Sequence, residues 1–178
     1  MNMRSFDPWI GPNYESQGLH GLKIFFLGEA HYGKPHEKSK GMTKRVVEDC
    51  GLIGGFAFFT KVAKTGLFKY SGDVLTNIER RNFWNSIAFY NYIQDFPSDG
   101  PRVPPTKEMW VDAAAPFLGA LKELKPDLVV ILGKELGRQI TEMPADITFC
   151  QINHPSSSYS YKKWVPKLEQ IVKDLKEL

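Results

Sequence analysis

Four short apolar runs constrain this chain more than any other feature, because each stops at a glycine or a polar residue and helical patterns fill the gaps between them. Residues 23–27 (K-I-F-F-L) run into Gly28, and residues 127–132 (D-L-V-V-I-L) run into Gly133. Residues 86–90 (S-I-A-F-Y) stop at Asn91, and residues 147–152 (I-T-F-C-Q-I) stop at Asn153. A continuous run of β-branched and aromatic residues at this length predicts a strand buried on both faces, as in a parallel sheet. Helical spacing follows at residues 43–48 and 56–68, with Gly51, Gly54 and Gly55 breaking the first segment. Thr106 caps a further helix whose later turns cover residues 113–125, and Pro116 divides it. Residues 134–140 form a short helix. Residues 162–178 form a long amphipathic one, with Trp164, Leu168, Ile171, Val172 and Leu175 on one face and Pro166 in its first turns.

Strands that alternate with helices imply right-handed crossovers and a mostly parallel sheet. The 178 residues suit one domain, expected over 1–178. An apolar content of 42% with 13% aromatics excludes a disordered chain. No apolar run approaches the roughly 20 residues that span a bilayer. Residues 1–11 carry Asp7, Pro8 and Gly11 with no continuous apolar segment, so no secretory signal is expected and the cytoplasm is the default location. Cys50 and Cys150 lack C-x-x-C spacing and are expected to be free thiols, not zinc or iron–sulfur ligands. A net charge of +3 permits a nucleic-acid partner without demanding one. Lys34, Lys38, Lys40, Lys44 and Arg45 cluster, Lys61, Lys64 and Lys69 follow, and Lys162 and Lys163 sit near the end; solvation of a surface is the ordinary use of such lysines.

Ligands of such sheets bind beyond the carboxyl ends of the strands. Those ends read Gly28-Glu29-Ala30-His31-Tyr32-Gly33, Asn91-Tyr92, Gly133-Lys134-Glu135, and Asn153-His154-Pro155-Ser156-Ser157-Ser158-Tyr159. A histidine held by a following proline can donate to a leaving group or move a proton. The serines behind it can serve a phosphate, or simply cap the last helix. Glu29 can orient water or stabilise a developing cation, or be a solvated turn residue. The amide of Asn91 has the donors and acceptor to match a nucleobase edge, or to close a strand locally. His31 and His36 around a proline are a weak metal signal, and none is expected. The P-loop, the dinucleotide G-x-G-x-x-G and the G-x-S-x-G elbow are all absent.

The order of these segments resembles the uracil-DNA glycosylase superfamily. The G-E-A opening at Gly28-Glu29-Ala30 is similar to the G-E-x-P-G motif of its thermophile-type family, Asn91 stands where a base-reading asparagine follows the second strand, and His154-Pro155-Ser156 is similar to the His-Pro-Ser motif after the last. Residues 124–133 resemble the penultimate strand. The likeness covers residue 22 to the C-terminus as spaced islands. It implies an α/β fold, a three-layer α/β/α sandwich around a four-stranded parallel sheet. It implies a DNA glycosylase that hydrolyses the N-glycosidic bond of a flipped uracil, deaminated or modified base in single- or double-stranded DNA. His154 would stabilise the departing base and Glu29 the water or the oxocarbenium-like sugar. Asn91 would read the base within a pocket formed by Gly28, Ala30, His31, Tyr32 and Phe58 or Phe59. Ser156 would touch a phosphate, with Ser157, Ser158, Tyr159 and Lys162 on the same nucleic-acid-facing segment and Tyr159 as a wedge.

The chain departs from the pattern in four ways, the first being that its opening motif lacks the aspartate of the best-known uracil enzymes. His31-Tyr32 replaces the proline of the first motif. Ser157-Ser158 replaces the Pro-Leu that usually ends the last. The four cluster cysteines are missing, so no iron–sulfur cofactor is expected. Residues 34–70 form a long insertion where substrate would approach. Two other functions fit the same residues: a recognition module that binds nucleic acid or a nucleotide without cleaving it, and a hydrolase of small N-glycosides.

Overall fold

The structure, a computed structural model, describes residues 4–178; residues 1–3 of the N-terminal stretch considered above lie outside it. Its centre is a five-stranded sheet in the order β1-β3-β2-β4-β5. The strands β2 (Ile24–Gly28), β3 (Ala88–Asn91), β4 (Leu128–Leu132) and β5 (Thr148–Ile152) are parallel. All four apolar runs are therefore strands, each starting one or two residues later than the run itself. The fifth strand was not foreseen: β1 (Trp9–Ile10) pairs antiparallel with the outer edge of β3. Two residues carry too little alternation to read as a strand, and Trp9 is held by its own indole N–H, which donates to the Trp84 carbonyl at 2.8 Å.

Alternate residues along each strand enter two different cores. Ile24, Phe26, Phe89, Val130, Cys150 and Ile152 pack beneath one layer of helices. That layer holds α2 (Ala57–Gly66), α3 (Asn77–Ser86) and α7 (Tyr161–Lys176). Phe25, Leu27, Tyr90, Val129 and Ile131 pack on the other side, against α5 (Ala114–Leu124) and α6 (Lys134–Gln139). Burial on both faces explains why the strands read as unbroken apolar runs.

Three local features differ from the sequence reading. Helix α1 (Met42–Val46) does not end at Gly51 but continues into a wide π turn, Val47–Leu52. Gly51 lies against the Trp84 ring, where a Cβ would come within 2.9 Å, so this glycine serves packing and not termination. Helix α3 occupies Asn77–Ser86, which places Ser86 at a helix end and not at the start of a strand. Its sequence is mostly polar, but Phe83 and Trp84 are fully buried and Thr76 with Glu79 forms a reciprocal capping box. Finally, α4 (Lys107–Asp112) and α5 meet at Ala113, not at Pro116 itself. A proline cannot bond the carbonyl four residues back, so the break falls at the preceding turn.

Helix α3 feeds directly into β3 and so sets where Asn91 arrives. Replacing its cap, Thr76→Ala, is expected to cost about 1 kcal/mol, read as a melting-temperature drop of about 2–4 °C. A melting temperature equal to wild type would show that the box contributes nothing.

Candidate functional site

A cleft of about 760 Å³ opens at the carboxyl end of the sheet, a size suited to a small organic ligand. Parallel pairing brings its parts together. Gly28 is in register with Asn91, and the ladder continues past both, since Tyr92 N–H donates to the Gly28 carbonyl and Ile93 N–H to that of Glu29, both at 2.9 Å. On the other side, Gly133 N–H donates to the Ile152 carbonyl at 3.0 Å, which holds His154 beside the end of β4. Gly28 must lack a side chain, because a Cβ there would collide with Asn91 Oδ1.

Glu29, Ala30, His31, Tyr32, Phe58, Phe59, Asn91, His154 and Ser156 all line this cleft. Gly28 lies just behind it, against Asn91. Asn91 is buried, and its backbone carbonyl is taken by Gln94 Nε2 at 2.8 Å. Its side-chain amide makes no hydrogen bond among the described residues, with Oδ1 packed against Gly28, so its donors and acceptor have no partner there.

His154 has one defined tautomer. The Ser156 N–H donates to its Nδ1 at 3.1 Å, so Nδ1 carries the lone pair and the proton sits on Nε2. Burial lowers the pKa of this imidazole, which therefore stays neutral at neutral pH. The loop is tied down further by Ser157 Oγ, which donates to the His154 carbonyl at 2.6 Å, and by Lys61 Nζ, which donates to that of Pro155 at 2.8 Å. The Phe58 ring lies 5.4 Å from the imidazole, tilted by 42°. Glu29 behaves in the opposite sense: burial first, and then the charge of Glu135, raise its carboxyl pKa. The cleft thus holds a neutral donor, a carboxylate with elevated proton affinity, a free amide and an aromatic wall.

The structure separates some residues that the sequence groups together. Ser157, Ser158, Tyr159 and Lys162 do not line the cleft. Tyr159 is not a free wedge: it packs against the core beneath α2, its hydroxyl 2.7 Å from Thr65 Oγ1. His31 lines the cleft with its ring engaged elsewhere, Nε2 lying 2.9 Å from Thr43 Oγ1 and the edge-on Phe6 ring 5.1 Å away. Residues 34–70 are neither a loose arm nor a detached lid. Met42, Val46, Phe58 and Phe59 from this insertion wall the cleft, while Val47, Val62 and Ala63 are fully buried in the core. Much of the local positive charge is spent internally, with Lys38 paired to Asp95, Lys44 to Glu48 and Lys69 to Glu79.

Sequence reasoning missed Arg102, Pro101, Phe89 and the lining role of Lys134 and Glu135. Lys134 and Glu135 were visible as the sequel to a strand. Arg102 stands in a proline-rich loop with a backbone φ of +79° and gives no motif to find it by. Among the described residues, no group of three or more His, Cys, Asp or Glu side chains is placed to hold a metal ion, no helix is long and apolar enough to cross a membrane, and both cysteines are free. No protein-family model matches the chain, and no curated protein is significantly similar to it.

The burial of His31 has a measurable cost. Its pKa falls from 6.5 to about 4 because the interior disfavours the imidazolium. Between those values the unfolded chain binds a proton that the folded chain does not, so stability falls as pH drops from about 6.5 toward 4. His31→Gln, which keeps a hydrogen-bonding amide without the titration, should remove a loss of roughly 3 kcal/mol across that window, read from urea unfolding at several pH values. Parallel pH profiles for the two proteins would exclude His31 as the source.

Proposed function

We propose that this chain is a DNA glycosylase-like hydrolase of the uracil-DNA glycosylase type, with a central parallel sheet between two helical layers, that releases a flipped uracil, deaminated or modified base. The observation that carries the reading is the fixed neutral tautomer of His154, whose Nε2–H has no protein partner among the described residues and shares the cleft with the free amide of Asn91 and the Phe58 ring. Asn91 pairs with the base edge, and Phe58 stacks on its face. The bond from the base nitrogen to the sugar anomeric carbon breaks with its electron pair going to the base. The negative charge that develops on a base carbonyl oxygen is met by the Nε2–H of His154. The sugar gains oxocarbenium character, which the Glu29 carboxylate stabilises. Glu29 then takes a proton from the water that attacks the anomeric carbon; the base leaves as its anion and takes up a proton from solvent, and Glu29 returns its own to solvent, giving a free base and an abasic sugar.

The segment after His154 favours substrates whose base is already accessible. Ser157 folds back on the His154 carbonyl and the half-buried Tyr159 is held to Thr65 through its hydroxyl, so neither side chain is free to replace a base drawn from an intact duplex. Single-stranded or mispaired sites, where extrusion costs least, are the preferred substrates.

End-labelled single-stranded and duplex oligonucleotides carrying uracil, hypoxanthine, xanthine or a modified pyrimidine, followed by alkali, test the proposal. One base should be released, faster from single strands, with His154→Ala and Glu29→Ala each slower by about 10²-fold or more. Salt-sensitive binding with no release of any base would instead favour a recognition module. The kcat/KM should be level near neutral pH and fall as acid protonates Glu29, above the ordinary carboxylate range because its pKa is raised. Glu135→Gln removes the like charge and should move that limb to lower pH, burial remaining the larger cause; a limb that persists unmoved in the residual activity of Glu29→Gln would show that Glu29 does not set it.

A further inference from the structure

The peptide unit between Pro155 and Ser156 is engaged at both ends. Its N–H donates to His154 Nδ1 at 3.1 Å, and its carbonyl oxygen accepts from Lys61 Nζ at 2.8 Å. An ammonium pulling on an amide oxygen draws the peptide toward its charge-separated resonance form, with more positive charge on nitrogen, and so makes the N–H a stronger donor. A stronger donor at Nδ1 keeps that nitrogen unprotonated and withdraws density from the ring, which sharpens Nε2–H as a donor in turn.

Lys61 is placed for this by the insertion. It lies on α2 one turn after Phe58, so one helix face delivers both the aromatic wall of the cleft and the cation behind the histidine loop. Its Nζ pairs with no carboxylate among the described residues, and its amine is directed at a neutral carbonyl. Glu29, His31 and Tyr32 from the end of β2, Arg102 from the loop after β3, and Lys134 and Glu135 from α6 line the cleft on its other sides. Lys167 of α7 is occupied with the Gln151 carbonyl.

We propose that Lys61 is a positioning residue for His154, acting through the Pro155–Ser156 peptide to hold the imidazole as the neutral Nε2–H form. The idea rests on His154 being the group that faces the departing base, but it is read without turnover.

Long-range ¹H–¹⁵N NMR of the imidazole reports tautomer and titration together, in the whole chain as wild type, Lys61→Met and Lys61→Arg. Wild type should show the Nε2–H form and titrate below an ordinary histidine. Lys61→Met should move the midpoint of His154 up and mix in the Nδ1–H form, and Lys61→Arg should restore the wild-type pattern. An unchanged tautomer and midpoint in Lys61→Met overturns the proposal. Lys61→Gln, which keeps a donor to Pro155 without the charge, should fall between Met and wild type and serves if Lys61→Met does not fold; failure of both to fold would assign Lys61 a structural role and also overturn it. On an excised base, Lys61→Met should lower kcat roughly tenfold with little change in KM. If wild type releases no base while the NMR shifts appear as expected, the glycosylase reading fails and the role of Lys61 stands.

Discussion

Parallel pairing of β2 between β3 and β4 is the constraint on which the rest of the molecule depends. Because the strands run the same way and in register, their carboxyl ends finish abreast, and every polar residue that follows a strand is delivered to one edge. The same pairing buries both faces of the sheet. Strand interiors must then be apolar, and the chemistry is left to the residues just beyond them. Gly28 concentrates this logic in one position. It ends β2, stands opposite Asn91, and by having no side chain lets the asparagine amide occupy the floor of the cleft.

The electrostatics of the cleft follow from burial more than from ion pairs. Desolvation is the first cause of the altered titration of His31, Glu29 and His154, and it pushes bases and acids alike toward neutrality. A neutral imidazole with its proton fixed on one nitrogen is a directional donor. The Glu29 carboxyl, reluctant to ionise for the same reason, lines the same cleft. Among the cations that the sequence clusters nearby, Lys38, Lys44 and Lys69 pair with acids, while Lys61 and Lys64 donate to neutral backbone carbonyls and keep their charge.

The four parallel strands and the convergence of Glu29, Asn91 and His154 were legible because both follow from local pattern: apolar runs mark buried strands, and strand order with parallel sense forces their ends together. What the sequence concealed was decided by distant packing. Helix α3 looks polar because only Phe83 and Trp84 face inward, and its capping box, Thr76 with Glu79, was the overlooked signal. Within the π turn at Val47–Leu52, Gly51 meets a tryptophan more than thirty residues away, a contact that no local pattern announces. Tyr159 reads as exposed beside three serines, yet a hydroxyl contact with Thr65 and the core beneath α2 leave it half-buried. The lining role of Arg102 depends on a loop path that no periodicity encodes.

The aromatic wall on α2 belongs to two structures at once. Phe59 lines the cleft, yet it also lies 5.5 Å from the buried Trp84 ring and 6.2 Å from Phe89. Changes at this wall therefore trade ligand choice against folding, and a lineage under selection for a new ligand would find most such changes purged for instability. Diversification has an easier path through Tyr32, Met42 and the Pro101–Arg102 segment, which border the same space without anchoring the core. Divergent relatives of this chain should accordingly share the Phe58–Phe59 pair and differ along that rim.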